Sequence, residues 1–260
     1  MFDIVTPLGP DDTERFIKSL AFTRKNILGY RYIYIIAAKH TLELLESRIT
    51  DKTNLFFVDE NMFPFDFEDL AKYIGYIKRR GWYLQQLLKL YSGFIIPGIL
   101  PRWLVIDADT FFLKPTSFIE DGKMLLNISK EYYVHYFQQI GRLLPGIYRV
   151  DPKLGGICHH MMFEMKYVKD LFERVENIHR KTFWRAFMES IDPTEYEKSG
   201  ASEYELYFNF MLIHHANAIK LRQLNWEDTY YVDTTLDRDY ISSHEWMNAM
   251  FLASNIRDRK

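Results

Sequence analysis

The sequence predicts an α/β protein built on a mixed, mostly parallel sheet flanked by helices. Three observations lead there. Runs of β-type residues alternate with helix-period runs through the first half, at the spacing of strand–helix–strand units. The longer strand runs are continuously apolar, the pattern of strands buried on both faces. No repeat, low-complexity tract or shift of composition divides the 260 residues, 48% of them hydrophobic, and one α/β core accommodates a chain of that size. The expected organisation is a single domain over 1–260, with a first half of about 1–115 and a second of about 116–260.

In chain order, residues 2–5 are a short β-type run closed by Thr6 and Pro7. Gly9, Pro10, Asp11 and Asp12 lead into a helix over about 13–27. Residues 30–37 read as a buried strand, followed by a helix from about 42 and a strand at 55–58. Helical patterns resume at 67–77 and 82–91. In the second of these, Leu84, Leu87, Leu88 and Tyr91 follow the i, i+3, i+4, i+7 spacing and form the buried stripe. Residues 103–106 are the most strand-like of the chain and run straight into Asp107, Ala108, Asp109 and Thr110. The second half is more helical, at 164–175, 183–189 and 203–214. A strand-like stretch at 218–221 and an irregular, polar C-terminus follow.

Composition excludes several classes. Thirty-three basic against 35 acidic side chains leave a net charge of −2. A nucleic-acid binder needs a surplus of Lys and Arg against phosphate, so no nucleic acid is expected among the partners. Disorder is excluded by the hydrophobic content. Twenty Phe, 18 Tyr and 5 Trp make 17% of the chain, more tyrosine than a core wants, because buried hydroxyls need partners. Some of these rings are expected to line an amphipathic cleft, where the apolar C–H faces of a carbohydrate would fit. Cys158 is the only cysteine, which rules out an intramolecular disulfide and fits a reducing compartment. The first residues lack the basic and apolar regions of a signal peptide. Stretches 30–38 and 94–100 fall short of the roughly 20 apolar residues of a membrane span. A cytoplasmic location without a membrane span is the expectation; the oligomeric state is open.

In an open parallel sheet, ligands bind beyond the carboxyl ends of the strands. Asp107 and Asp109 sit at such an end, two residues apart after an apolar strand. Paired carboxylates there suit a hard divalent cation, which prefers oxygen ligands and keeps positions open for diphosphate oxygens. Ala108 between them is small and obstructs little. A turn-forming role explains an isolated Asp-x-Asp equally well.

The run Val105-Ile106-Asp107-Ala108-Asp109-Thr110 resembles the Asp-x-Asp strand end of glycosyltransferases with the GT-A fold. Three further blocks resemble one bacterial and large-DNA-virus family of GT-A enzymes. They run from Arg80-Gly81-Trp82 to Lys89, from His159-His160 to Phe163, and from Ser202-Glu203-Tyr204-Glu205 to Tyr207. With Val5-Thr6-Pro7 they are spread over most of the chain in the expected order.

The resemblance implies a nucleotide-sugar-binding first half and an acceptor-binding second half. It implies Mn²⁺ or Mg²⁺ on the diphosphate of a nucleoside diphosphate sugar, held by Asp107 and Asp109 with the late histidine His244 closing the metal shell. Donor contacts are then expected from Thr6, Pro7, Arg79, Gly81, Trp82, Gln85, Gln86, Lys89, Asp107, Ala108 and Asp109. Acceptor contacts are expected from His159, His160 and Tyr207. Trp82, Tyr204, Tyr207 and Trp246 are the rings expected to line the site.

Two glutamates compete for the role of general base. Ser202 at the N-cap with Glu205 at N3 fits a capping box, which gives Glu205 a structural explanation. Glu203 lies about 200° away around the helix and lacks one, so it is the favoured base, with Glu205 as rival. The implied reaction is metal-dependent transfer of a hexosyl or pentosyl group from a UDP- or GDP-sugar to a glycan hydroxyl, with inversion. The setting would be the cytoplasm of a bacterium or of a virus's host. Two other readings fit parts of the pattern. One is a phosphatase of the haloacid dehalogenase type, which also ends a strand on two aspartates, although its nucleophile usually opens the first strand and the pair here lies past residue 100 with Thr110 immediately after it. The other is a glycan-binding module without turnover.

Overall fold

The computed structural model describes residues 1–243. β1 (Phe2–Pro7), α1 (Thr13–Asn26), β2 (Ile27–Leu28), β3 (Tyr30–Ala37), α2 (Lys39–Arg48) and β4 (Leu55–Asp59) open the chain. α3 (Phe67–Ile74), α4 (Arg80–Ile95) and β5 (Arg102–Ile106) follow. A stretch of short strands comes next: β6 (Thr110–Phe112), β7 (Thr116–Ser117), β8 (Ile119–Glu120) and β9 (Lys123–Asn127). The remainder is α5 (Val134–Leu143), β10 (His160–Glu164), α6 (Met165–His179), α7 (Phe183–Glu189), α8 (Glu203–His214), β11 (Ile219–Arg222), β12 (Trp226–Thr229) and β13 (Tyr240–Ser243).

The central sheet has the order β10-β5-β1-β3-β4. β5, β1, β3 and β4 are parallel, and β10 runs antiparallel on the β5 edge. Val5 of β1 pairs with Val105 of β5, so Thr6 and Pro7 end at the same edge of the sheet as Asp107. Ile4, Val5, Leu104 and Val105 have no exposed surface, which is why these strands read as unbroken apolar runs.

At the opposite end the buried carboxylate of Asp3 accepts hydrogen bonds from Arg31 (2.7 and 3.0 Å), Tyr32 N (3.2 Å) and Leu100 N (2.7 Å). This clamp ties β1 to β3 and to the loop that feeds β5. A buried charge is tolerated when it is paired and fully hydrogen-bonded.

The elements read from the sequence differ from the structure mainly at their ends. α3 stops at Ile74 rather than 77 because Gly75 takes φ +71 and donates its N–H to Ala71 O, a left-handed helix stop open to glycine. α5 escaped the sequence reading because Gln139 sits on its buried face among Tyr136, Ile140 and Leu143, and Gly141 lowers its helix propensity. The C-terminal region is not irregular up to residue 243: β12 pairs parallel with β13, and β13 antiparallel with β6. Trp226–Thr229 carries Glu227 and Asp228, so β12 lacks strand alternation. No helix among the described residues is long and apolar enough to cross a membrane.

Most of the aromatic excess is core. Trp103 stacks on Phe163 with centroids 5.7 Å apart, and Phe172 on Phe183 at 4.0 Å. Trp103 also sets the approach of α4 to the sheet. Its indole Nε1 donates to Lys89 O (3.1 Å), and its ring lies where a side chain at Gly93 would be, 2.3 Å from a Cβ built there. Only glycine allows this crossing, which fixes the height of Lys89 above β5. Gly93→Ala is therefore expected to destabilise the protein by about 1–3 kcal/mol, the cost of overpacking a tight core. The midpoint of urea unfolding measures it, and an unchanged midpoint refutes the packing argument.

Candidate functional site

β5 delivers the Asp107–Thr110 turn at the carboxyl edge of the sheet, and three separate parts of the chain hold its backbone. Asp107 N donates to His159 O (2.9 Å), next to β10. Ser19 Oγ, on α1, donates to Ala108 O (3.0 Å). Ser243 N, at the end of β13, donates to Asp109 O (2.9 Å). Thr110 N closes the turn onto Asp107 O (3.1 Å). Ala108 is buried, while Asp107 and Asp109 are half-buried and reach the surface.

Lys89 stands over this turn. Its buried ammonium lies 2.8 Å from Asp107 Oδ1 and 2.7 Å from Glu203 Oε1. Tyr204 donates its hydroxyl to the same Asp107 oxygen (3.1 Å), and the Lys89 Nζ lies 4.3 Å from the centre of the Tyr204 ring. Gln86, one turn before Lys89, accepts the Glu203 N–H on its Oε1 (3.0 Å), and its Nε2 is buried with no protein partner. Thus α4 and the first turn of α8 meet above the strand end through one ammonium, two carboxylates, an amide and a phenol.

Burial opposes the charge on Lys89, but the two carboxylates outweigh it and hold its pKa above the ordinary value. Burial pushes the Glu203 carboxyl up, against the pull of the ammonium. It also carries the Tyr204 phenol well above its usual range, with Asp107 adding to the effect. One positive charge is shared by two carboxylates, so with both ionised the cluster carries one net negative charge at the mouth of the strand.

Glu205 occupies a different place. Ser202 caps α8 by accepting Glu205 N on its Oγ (3.2 Å), but the reciprocal half of the capping box does not form. The Glu205 carboxylate instead accepts from Asn209 Nδ2 (3.0 Å) on one oxygen, while its Oε1 is buried without a hydrogen-bond partner beside the Gly155–Gly156 backbone. It is fully buried, and burial pushes its pKa up to about 7, against Gly156, Arg149 and Asn209 and with help from Glu131. Gly155 and Gly156 permit this packing. A Cβ at Gly155 would lie 2.7 Å from Glu131 O, and one at Gly156 2.4 Å from Phe208 Cβ.

The remaining predicted residues divide sharply. Thr6 and Pro7 are buried at the carboxyl end of β1. Arg79 bonds to Lys198 O (3.1 Å) and Ser199 Oγ (2.6 Å) and lies over the Trp82 ring, so it ties α4 to the segment before α8. Gly81, Trp82 and Gln85 are half-buried on the same helix.

His159 is half-buried, with its Nε2 3.4 Å from Asp228 Oδ1. His160 and Tyr207 do not lie at an acceptor cleft. His160 is buried among the rings of Phe112, Phe118 and Tyr240, where burial drives its pKa well below the ordinary value and keeps it neutral. Tyr207 is buried against Phe163 and accepts Glu164 N on its hydroxyl (3.2 Å). α8 is buried on all sides from Glu203 to Met211, so Tyr207 and its other rings apart from Tyr204 pack the core rather than face a cleft. His244 and Trp246 lie outside the described residues.

The sequence reading missed Asp228 and Glu131. Asp228 lies in the short, polar β12, whose neighbours are set by strand pairing, and Glu131 lies in the loop between β9 and α5. Asp107 and Asp109 suit a hard cation in their chemistry, and the net negative charge of the Lys89 cluster favours one. Among the described residues no group of three or more His, Cys, Asp or Glu side chains forms an ion site by itself. A cation held here would complete its shell from a ligand such as a diphosphate.

Residues 11–251 match the model described as "Family of unknown function (DUF6492)". None of the curated proteins compared matches the chain. Among solved structures, the active-site mutant Q189E of LgtC is similar over 93% of this chain and 86% of its own, at 12% identity and a TM-score of 0.51. Mouse xyloside xylosyltransferase 1 in its apo form covers 88% and 87% at 12% identity, with a TM-score of 0.49. The galactosyltransferase LgtC in complex with donor and acceptor sugar analogues covers 93% and 86% at 12% identity, with a TM-score of 0.46. The likeness to the LgtC mutant shows the fold: a GT-A arrangement of a mostly parallel sheet with flanking helices.

Two outcomes are expected from this geometry. Lys89→Met strands two carboxylates around a buried apolar side chain and should cost about 3–5 kcal/mol of stability. Lys89→Met/Glu203→Met should be less destabilised than the single variant, and equal urea midpoints for the two would remove the ion cluster from the account. Glu205 has a folded-state pKa raised from 4.5 to about 7. Its contribution is therefore fully present below pH 4.5 and is lost as pH rises through about 7. Glu205→Gln should be more stable than wild type at pH 8, with the gap shrinking toward pH 5. Parallel curves of unfolding midpoint against pH would contradict this.

Proposed function

The chain belongs to the family of unknown function DUF6492, and we propose that it is a metal-dependent glycosyltransferase that moves a sugar from a nucleoside diphosphate sugar to a hydroxyl acceptor. The observation that carries the reading is the charge cluster at the carboxyl end of β5. There Asp107 and Asp109 leave an apolar strand beneath a buried ammonium, on a fold shared with LgtC. The carboxyl edge of a parallel sheet is where this architecture presents ligands.

Asp107 and Asp109 would hold Mn²⁺ or Mg²⁺, with His244 as a further ligand from outside the described residues. A divalent cation there supplies neutralisation of the diphosphate. The chain's own groups do the rest. Lys89 fixes one oxygen of Asp107, assisted by the Tyr204 hydroxyl, so the carboxylate is oriented before any ligand arrives. Glu203 holds Lys89 from the other side and keeps it charged. Gln86 offers a buried amide N–H₂ at the junction of α4 and α8. UDP- and GDP-sugars are the donor classes and a glycan hydroxyl the acceptor.

The test is nucleotide release from a panel of UDP- and GDP-sugars with Mn²⁺. Wild-type protein is expected to turn over at least one donor. Asp109→Ala should lose on the order of 10²–10³-fold in turnover, the scale of removing one group that stabilises developing charge. Equal rates for the two proteins, or no donor bound by either, would overturn the proposal.

A further inference from the structure

Resting on the glycosyl-transfer reading, we propose that Asp228, positioned by His159, is the carboxylate that takes the proton from the incoming hydroxyl. Both glutamates expected in that role are committed elsewhere. Glu203 is 3% exposed with its oxygen on the Lys89 ammonium, and Glu205 has no exposed surface and faces Gly156. A general base must come within hydrogen-bond reach of the hydroxyl it deprotonates, and neither can do so without opening the start of α8. The side chain of Asp228 is 47% exposed.

Strand register aligns Asp228 with Thr110 at the end of the turn, two strands away across β13. His159 lies across from Asp107, whose N–H it accepts (2.9 Å). On the other side Thr110 pairs with Ser242 of β13, and Ser242 pairs with Asp228 of β12. His159 and Asp228 thus flank the turn from both sides and meet at 3.4 Å. The imidazole is fixed edge-on against Trp226 (4.9 Å) and Tyr240 (6.0 Å), two rings that stack on each other at 5.5 Å. In this packing the His159 Nε2 points toward the Asp228 carboxylate. Glu131 is the further acid that feels both groups.

The step balances in one displacement. The bond from the anomeric carbon to the diphosphate oxygen breaks and its electron pair leaves on that oxygen. The acceptor oxygen bonds the anomeric carbon from the opposite face, and the acceptor proton passes to an Asp228 oxygen. The configuration inverts.

Water can serve as the acceptor, so the test needs no knowledge of the natural glycan. Nucleotide release and the anomer of the freed sugar are followed with the UDP- and GDP-sugar panel and Mn²⁺. Asp228→Asn and Asp228→Ala are expected to lower kcat on the order of 10²-fold or more, the usual contribution of a general base, with the donor KM and the thermal midpoint unchanged. His159→Gln, which removes the imidazole facing Asp228, should lower kcat less, again without moving KM. A kcat for Asp228→Asn within about threefold of wild type overturns the proposal, well short of that general-base contribution. So does release of the sugar with its original anomeric configuration. A wild-type protein that turns over none of the donors overturns instead the reading on which the proposal rests, and the proposal falls with it.

Discussion

The ammonium of Lys89 is the joint on which the site depends. It lies in the one place where α4, β5 and α8 converge, and it is the only described cation that bonds both Asp107 and Glu203. Without it two carboxylates would face each other in a largely buried setting, and ionised groups there cost several kcal/mol unless paired. With it, the first turn of α8 is drawn to the strand end and the Asp107 carboxylate is held in one orientation. The same bond therefore serves packing and chemistry, and its cost in desolvation is offset by two partners rather than one.

Close backbone approaches make that joint possible. Gly93 lets α4 settle onto Trp103, and the indole in turn bonds the carbonyl of Lys89 itself. Gly155 and Gly156 let the segment before β10 press against α8, which buries Glu205 and brings His159 alongside Asp107. At the far end of the sheet, Asp3 fastens β1 and β3 to the loop entering β5. A carboxylate at one end of the strands holds the frame, and Asp107 and Asp109 stand at the other end.

Much of this was legible in the sequence because it is encoded locally. The apolar run ending in Asp107 and Asp109 marks a buried strand meeting solvent, and the stripe of Leu84, Leu87 and Leu88 marks the inner face of α4. Ser202 marked the start of α8 correctly, since a cap acts within one turn. What the sequence could not show is which charges meet. Lys89 and Glu203 were both singled out, yet they are 114 residues apart and their pairing follows from tertiary packing alone. Tyr207 was misplaced by weighing a motif above periodicity: Leu206, Tyr207, Phe208, Phe210 and Met211 leave α8 no polar face on which an acceptor contact could sit. His160 was sent to a cleft although alternation allowed only one of two adjacent histidines to reach it. Asp228 gave no local signal, because its importance lies in a register shared by β6, β13 and β12.

The division between the two ends of the Asp107–Thr110 turn follows from how each part is held. The bonds from Ser19 and Ser243 go to main-chain carbonyls, and so does the bond that Asp107 N makes to His159. The turn is thus placed through its main chain. One oxygen of Asp107 is engaged by Lys89 and Tyr204, which orients that carboxylate at the end of β5. On the other flank Asp228 is held by an imidazole whose protein surroundings are mostly rings. On the proposed reading, the strand-end aspartates serve the departing diphosphate and Asp228 the incoming hydroxyl.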